Sequence, residues 1–175
     1  MVNFRTVGHG TLPADDLAAL VTGAGIEIIV DVRSFPASRR HPQFRREAME
    51  RWLPDAGVAY RWEPRLGGRR RPRPDSPHGA LRVPAFRGYA DHMETAEFRD
   101  AVDELLADAG RRSTAVMCAE SVWWRCHRRL LADAAVLLRG AAVDPAGGTG
   151  RPAAGGRSRP TSGLRQGPRT ASARL

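Results

Sequence analysis

The sequence predicts an α/β fold, organised as a single three-layer domain with a mainly parallel sheet flanked by helices. Short apolar runs typical of strands alternate with segments that repeat apolar residues at helical spacing, and parallel strands need such crossover helices. The run Ile26 to Val32 is almost continuously β-branched, as expected for a strand covered on both faces. A chain of 175 residues also fits one ordinary domain.

The elements follow from periodicity and from Gly and Pro punctuation. A strand over residues 3 to 7 ends at the turn Gly8-His9-Gly10, and Pro13 suits the first turn of the helix that follows. The Pro-, Gly- and Arg-rich stretch from Glu63 to Pro84 predicts a long loop. The remaining predictions are strands at Ile26 to Val32, Val58 to Trp62, Thr114 to Cys118 and Ala141 to Val143, and helices at Gln43 to Asp55, Pro84 to Met93, Ala96 to Ala109 and Val122 to Leu138.

Charge is distributed unevenly along the chain. All 28 basic residues are arginines, and the net charge is +9. Residues 145 to 175 hold six of these arginines, seven glycines and four prolines, with no acidic residue and almost no large apolar side chain. Such a segment cannot bury enough surface to offset its ordering entropy. We therefore predict an α/β domain over residues 1–144 and a disordered tail over residues 145–175, which carries most of the basic excess.

Composition also indicates the cellular compartment of the protein. Two cysteines are too few for a disulfide framework, and no charged N-terminal segment runs into an apolar stretch. No run approaches the roughly 20 apolar residues that span a bilayer. We expect a cytoplasmic protein without membrane contact.

Four polar segments follow predicted strands. Carboxyl ends of parallel strands share one edge of a sheet, where open α/β folds bind ligands. We therefore expect these segments to meet at one site. They are Gly8-His9, Asp31-Val-Arg33, Glu63 to Gly68 and Cys118-Ala-Glu120.

Cys118 is the main candidate for a nucleophilic or redox role. It ends a strand and precedes a predicted helix, whose N-terminus can lower a thiol pKa. An inert buried thiol is an equal alternative. Cys118, Cys126, His127 and His9 include the ligand types of a zinc site, but their spacing matches no known zinc pattern, so no metal is predicted. A reversible Cys118–Cys126 disulfide is also open.

Acid–base chemistry and anion binding complete the predicted site. His9, Asp31 and Glu120 are candidates for proton transfer, while simple ion pairs of the two acids with Arg33 and Arg128 are the alternative. Guanidinium groups bind phosphate in a bidentate fashion, so a phosphate-bearing anion is the expected ligand, with nucleotide or nucleic acid as the natural candidates. The predicted substrate-binding residues are Arg33, Ser34, Cys126, His127 and Arg128. Arg39, Arg40, Arg65 and Arg69 to Arg71 flank them, and Trp62, Phe86, Tyr89 and Trp124 offer stacking surfaces.

Several of these motifs resemble a bacterial family described as the domain of unknown function DUF488. They are Thr6-Val-Gly-His9, Asp31-Val-Arg-Ser-Phe-Pro36, His41-Pro-Gln-Phe44, Leu66-Gly-Gly68, Phe86-Arg-Gly-Tyr-Ala90 and the segment Cys118 to Arg128. The resemblance covers roughly residues 3 to 143 and implies a compact α/β cytoplasmic protein without an assigned activity.

Three positions depart from the family pattern. Gly10 stands where the family usually has Ser, and Trp123 where Pro is common. After Val143 the family usually continues with His and an apolar residue, whereas this chain has Asp144 and Pro145. We hypothesise a frameshifted or divergent terminus, and resequencing the gene would test this.

Three hypotheses for the function follow. The first is a hydrolase or transferase acting on a nucleotide or nucleic acid. The second is a non-catalytic nucleic-acid or regulatory binding module. The third is a thiol-redox or sulfur-transfer protein using Cys118, because the strand-end cysteine is similar to that of rhodanese-type sulfurtransferases, although the loop after it lacks their glycine-rich character. No cofactor or oligomeric state is predicted.

Overall fold

The computed structural model describes residues 2–145, which form one five-stranded sheet with every pairing parallel. The strand order is β3-β2-β4-β1-β5. The strands are β1 (Asn3–Gly8), β2 (Ile28–Asp31), β3 (Ala59–Trp62), β4 (Thr114–Cys118) and β5 (Ala142–Pro145). The predicted parallel α/β architecture is confirmed.

Helices cover both faces of the sheet. They are α1 (Ala14–Gly23), α2 (Arg46–Asp55), α3 (Pro84–Met93), α4 (Ala96–Ala109) and α5 (Arg128–Arg139). Alternate strand residues face opposite layers, because side chains alternate along a strand. Val30 and Val116 pack with α3, α4 and α5, whereas Ile29 and Met117 pack with α1 and α2. The result is the predicted three-layer domain with a core on each face of the sheet.

The strand register aligns the carboxyl ends at one edge. Gly8 of β1 pairs with Cys118 of β4, and Asp31 of β2 pairs with Met117. Backbone pairing continues past the strands, since the His9 amide donates to the Cys118 carbonyl at 3.0 Å and the Val32 amide to Met117 at 3.0 Å. The polar segments that follow these strands therefore start side by side.

Two helices begin later than predicted. α2 begins at Arg46 instead of Gln43, because Pro42–Phe44 forms a 3-10 turn whose Phe44 carbonyl accepts a hydrogen bond from the buried Arg33 side chain. α5 begins at Arg128 instead of Val122. Before it lie a short 3-10 turn at Trp123–Arg125 and an extended Cys126, which is buried in the core.

Other elements agree with the sequence patterns. β4, α3 and α4 have the predicted bounds, and residues 67 to 83 contain no helix or strand. Between residues 2 and 145, no helix combines the length and apolarity needed to cross a membrane. The predicted tail over residues 145–175 lies outside the described residues, except for Pro145 at the end of β5.

Candidate functional site

A pocket of about 290 Å³ opens at the carboxyl edge of the sheet. Its walls come from the segments that follow β2, β3 and β4 and from the first turn of α3. The lining residues are Arg33, Ser34, Phe35, Gly68, Arg69, Ala85, Phe86, Cys118, Ala119, Glu120, Arg125, Cys126 and His127. Six of the nine predicted site residues are among them: Arg33, Ser34, Cys118, Glu120, Cys126 and His127.

Three of these side chains form a compact group, here called the thiol–imidazole cluster: Cys118, Cys126 and His127. Their two sulfur atoms and one ring nitrogen all lie within 4.8 Å of one another. Cys118 ends β4, whereas Cys126 and His127 immediately precede α5. Both cysteines are free thiols and largely buried. Because α5 begins only at Arg128, Cys126 lies next to Cys118. The spacing of the two cysteines in the sequence did not reveal this contact.

The His127 ring is held in one orientation from several sides. Its Nε2 lies 3.1 Å from the Val32 carbonyl oxygen, and its Nδ1 lies 3.4 Å from the Cys126 sulfur. Tyr89 packs edge-on against the ring with centroids 5.2 Å apart. A carbonyl only accepts hydrogen bonds, so in the neutral ring Nε2 carries the proton and Nδ1 presents its lone pair to the sulfurs.

The two thiols have opposite pKa shifts. A hydrogen bond with Cys118 lowers the pKa of Cys126 below that of an ordinary thiol. The same contact and burial raise the pKa of Cys118. Sequence alone made Cys118, at the end of the strand, the main candidate for a reactive role, with an inert thiol as the alternative. Of the two thiols, Cys126 is the one with the lowered pKa, and it lies next to a histidine and the start of α5.

Asp31, Arg33 and His9 form a buried network beside the pocket. The Arg33 guanidinium donates to both carboxylate oxygens of Asp31, to the Phe44 carbonyl, to the Met49 sulfur and to His9 Nε2. All its N–H groups are therefore engaged, although Arg33 contributes to the pocket wall. Asp31 is fully buried. These hydrogen bonds tie the segments after β1 and β2 to the turn that precedes α2.

His9 is neutral in this network. Its ring stacks on Phe44 with centroids 4.1 Å apart, and only 3% of the residue is exposed. Burial, together with the neighbouring Arg33 charge, lowers the pKa of His9 to about 4. Its Nδ1 bonds to the Gly10 carbonyl and its Nε2 accepts from Arg33. His9 does not line the pocket.

Arg128 and Glu120 are linked through the backbone. The buried Arg128 side chain donates to the Glu120 carbonyl oxygen, and within residues 2–145 it forms no ion pair with a carboxylate. Gly8 packs on the same carbonyl so closely that a Cβ there would lie 2.0 Å from the oxygen. The Glu120 carboxylate is exposed on the pocket and accepts from the Val122 amide at 3.1 Å.

Two exposed arginines at the pocket differ from the other candidates. Arg65 is engaged by Glu63 and Glu104, but Arg69 and Arg125 form no ion pair among the described residues. The Arg69 guanidinium lies 5.9 Å from the ring centroid of Phe35, which is 72% exposed. Sequence reasoning missed Arg125 because it was placed inside a helix. The only local indication that this segment is not part of the helix was the bulky sequence Trp-Trp-Arg just before Cys126.

Of the four predicted stacking aromatics, only Phe86 lines the pocket. Tyr89 is fully buried in the core, and the Trp62 indole donates to the Arg33 carbonyl. Trp124 is exposed outside the pocket lining. Phe35, which was not among the predicted aromatics, is the second aromatic ring at the opening.

Gly68 provides the closest approach to the cluster. A Cβ at this position would lie 2.4 Å from His127 Nδ1. We expect Gly68→Ala to displace the ring and to lower the free energy of unfolding by about 1–3 kcal/mol, the usual cost of overpacking. Gly79→Ala is the matched control in the same loop, because its Cβ would meet nothing within 4 Å. Urea unfolding measures both; equal stability of the two variants would contradict the contact.

The comparisons with known proteins identify a family but no activity. The model of the family described as domain of unknown function DUF488 matches residues 13–135. No curated protein and no solved structure matches the chain significantly. The match covers the thiol–imidazole cluster, Arg69, Glu120 and Arg125, while His9 lies before it. The chain thus belongs to the DUF488 family.

Proposed function

We propose that the chain binds a small phosphate-bearing anion in the pocket and acts on it as a hydrolase or group transferase. The observation that carries this proposal is the meeting of two arginines that form no ion pair within residues 2–145, Arg69 and Arg125, with the thiol–imidazole cluster in one opening. Guanidinium groups without a carboxylate partner keep their donors available for phosphate oxygens. Glu120 lines the same pocket and supplies a carboxylate for proton transfer.

The size and walls of the pocket favour a nucleotide-like ligand. About 290 Å³ is at the lower end of small-molecule sites and holds one nucleotide at most. Phe35 and Phe86 provide aromatic surface against which a base can stack. A duplex does not enter such a space. A mononucleotide, or one nucleotide of a single strand, is therefore the preferred ligand class.

The two cysteines are free thiols, which agrees with the expected cytoplasmic location.

Anion binding is tested by removing the two arginine charges. Calorimetric titration of the full chain with inorganic phosphate and with adenosine and guanosine monophosphate should give an affinity that falls as salt rises. Arg69→Gln and Arg125→Gln should each weaken binding about tenfold, because each removes a charged hydrogen bond worth about 1.5 kcal/mol. Arg51→Gln, on α2, changes an exposed arginine outside the pocket and should bind like the wild type.

Catalysis is tested separately with Glu120→Gln. This variant keeps the shape of the side chain, so an enzyme should lose turnover of a nucleotide substrate while its affinity changes little. Two results would count against the proposal: a wild-type chain that binds none of these anions, and arginine variants that bind as well as Arg51→Gln. Binding that Arg69 and Arg125 govern, but without turnover of any nucleotide, would support the non-catalytic binding module instead.

A thiol-redox role is the second candidate, favoured by the approach of the two sulfurs to within 4.8 Å. Both cysteines give up a hydrogen when a disulfide forms, and the oxidant takes up the two electrons. Treatment with oxidised glutathione should then produce an internal Cys118–Cys126 disulfide, seen by mass spectrometry as a loss of two hydrogens. A chain that stays fully reduced, or forms only mixed disulfides, would argue against this role.

A further inference from the structure

The thiol–imidazole cluster has the composition of a metal centre. Two cysteine sulfurs and one histidine nitrogen are ligands that zinc prefers, and sites with three protein ligands of this kind are known for zinc. All three ligand atoms lie within 4.8 Å of one another. We propose that Cys118, Cys126 and His127 bind one zinc ion. This inference goes beyond the proposed function, because the ion would bind whether or not the pocket takes an anion.

The spacing of the ligand atoms suits zinc. Bonds of about 2.3 Å to sulfur and about 2.0 Å to nitrogen place the ligand atoms of a tetrahedral site about 3.5–3.8 Å apart. The Cys126 sulfur and His127 Nδ1 are separated by 3.4 Å. The Cys118 sulfur lies within 4.8 Å of both atoms, so the three separations are close to those of a zinc site.

The histidine is prepared as a ligand by its second contact. Metal-binding histidines usually donate their other ring N–H to a carbonyl or a carboxylate, which fixes the tautomer. Here Nε2 lies 3.1 Å from the Val32 carbonyl, so Nδ1 faces the sulfurs. The Gly68 backbone and the Tyr89 ring pack against the imidazole and prevent it from turning away.

The supporting elements are rigid. Cys118 is the last residue of the central strand β4, which is paired on both sides, and Cys126 is packed in the core beneath α5. Three protein ligands leave a fourth position, and in zinc enzymes that position is taken by water or substrate. All three ligands line the pocket, together with Arg69 and Arg125. A metal held here would therefore face the opening.

Cobalt titration tests the site with a direct spectroscopic readout. The reduced full chain, freed of metal by a chelator, is titrated with Co²⁺ and then with Zn²⁺. We expect one Co²⁺ per chain, with the intense sulfur-to-cobalt charge-transfer band and the visible bands of a tetrahedral thiolate site, which an equivalent of Zn²⁺ should abolish. Zinc should also raise the unfolding temperature, because an ion that binds only the folded chain stabilises it.

Variants separate this site from adventitious binding. Cys118→Ser, Cys126→Ser and His127→Ala should each weaken the metal affinity more than about 100-fold, above the usual effect of changing an outer-shell partner. His41→Ala lies outside the cluster and should leave the titration unchanged. Gly68→Ala should weaken Co²⁺ binding by displacing His127, whereas Gly79→Ala should not.

Three results would overturn the proposal: no thiolate band in the reduced wild type, a ligand variant that binds Co²⁺ as tightly as the wild type, or zinc that fails to stabilise the wild-type chain. The wild-type titration alone decides the matter if a variant does not fold. No anion enters these measurements, so their failure would leave the test of Arg69 and Arg125 unaffected.

Discussion

Asp31→Asn is expected to lower the free energy of unfolding by about 3–5 kcal/mol, the range found when one partner of a buried ion pair is removed. Asp31 is fully buried and accepts hydrogen bonds from the Arg33 guanidinium, the Arg33 amide and the Tyr60 hydroxyl. Asparagine removes the charge and turns an N–H₂ group toward these donors. The Arg33 cation is then buried without a counter-charge. Urea unfolding followed by circular dichroism measures the change.

An exposed ion pair provides the control. Arg46 and Glu50 lie one turn apart on α2, and both side chains are more than 40% exposed. Glu50→Gln should cost less than about 0.5 kcal/mol, since pairs of this kind contribute little. Tyr60→Phe, which removes one hydrogen bond to Asp31, should cost about 1 kcal/mol. If Asp31→Asn were no worse than Glu50→Gln, the network would not hold the carboxyl edge together.

Acidification is expected to destabilise the protein through His9. Its pKa is lowered in the folded state from 6.5 to about 4, mainly by burial and then by Arg33. On acidification, His9 of the unfolded chain binds a proton near pH 6.5, whereas His9 of the folded chain binds one only near pH 4. The contribution of neutral His9 to the free energy of unfolding is therefore fully present above pH 6.5, and it is lost as the pH falls from 6.5 toward 4. The expected loss from His9 is about 2 kcal/mol by pH 5, given about 1.4 kcal/mol for each pH unit.

The contribution of His9 is isolated by comparison with His9→Gln. Glutamine can accept the Arg33 hydrogen bond but does not titrate, so its stability should fall less between pH 6.5 and pH 5. His92, whose pKa is also lowered by burial, contributes the same sign in both proteins and cancels in the difference. Unfolding free energies measured at several pH values give the two slopes. Parallel slopes for wild type and variant would show that His9 does not carry the effect.

The wrongly predicted start of α5 shows why the site was harder to predict than the fold. Periodicity predicted a helix from Val122, yet it begins at Arg128. The preceding segment is held by contacts with distant residues, such as His127 with the Val32 carbonyl and Cys126 with Cys118. Local helix preference contains no information about such contacts, because they depend on how β2 and β4 are placed side by side.

Arg33 and Arg125 illustrate the same limit for function. Arg33 follows a strand, and its position predicted that it would bind phosphate. In the structure its N–H groups form hydrogen bonds with Asp31, Phe44 and His9. Arg125, placed by periodicity on a helix, lies in the pocket without an acidic partner among the described residues. A guanidinium binds an external anion only when folding leaves its donors free, and sequence does not show which donors remain.

The sequence by itself determined the layer architecture, the parallel sheet and the edge at which polar segments collect. Hydrophobic periodicity and the order of elements are local properties of the chain, so they can be seen without coordinates. Only the tertiary structure decided that Cys118, Cys126 and His127 lie together and that His9 and Arg33 are buried in a structural network. Those outcomes depend on contacts between segments that are distant in sequence, whose energies arise only when the strands and loops pack against each other.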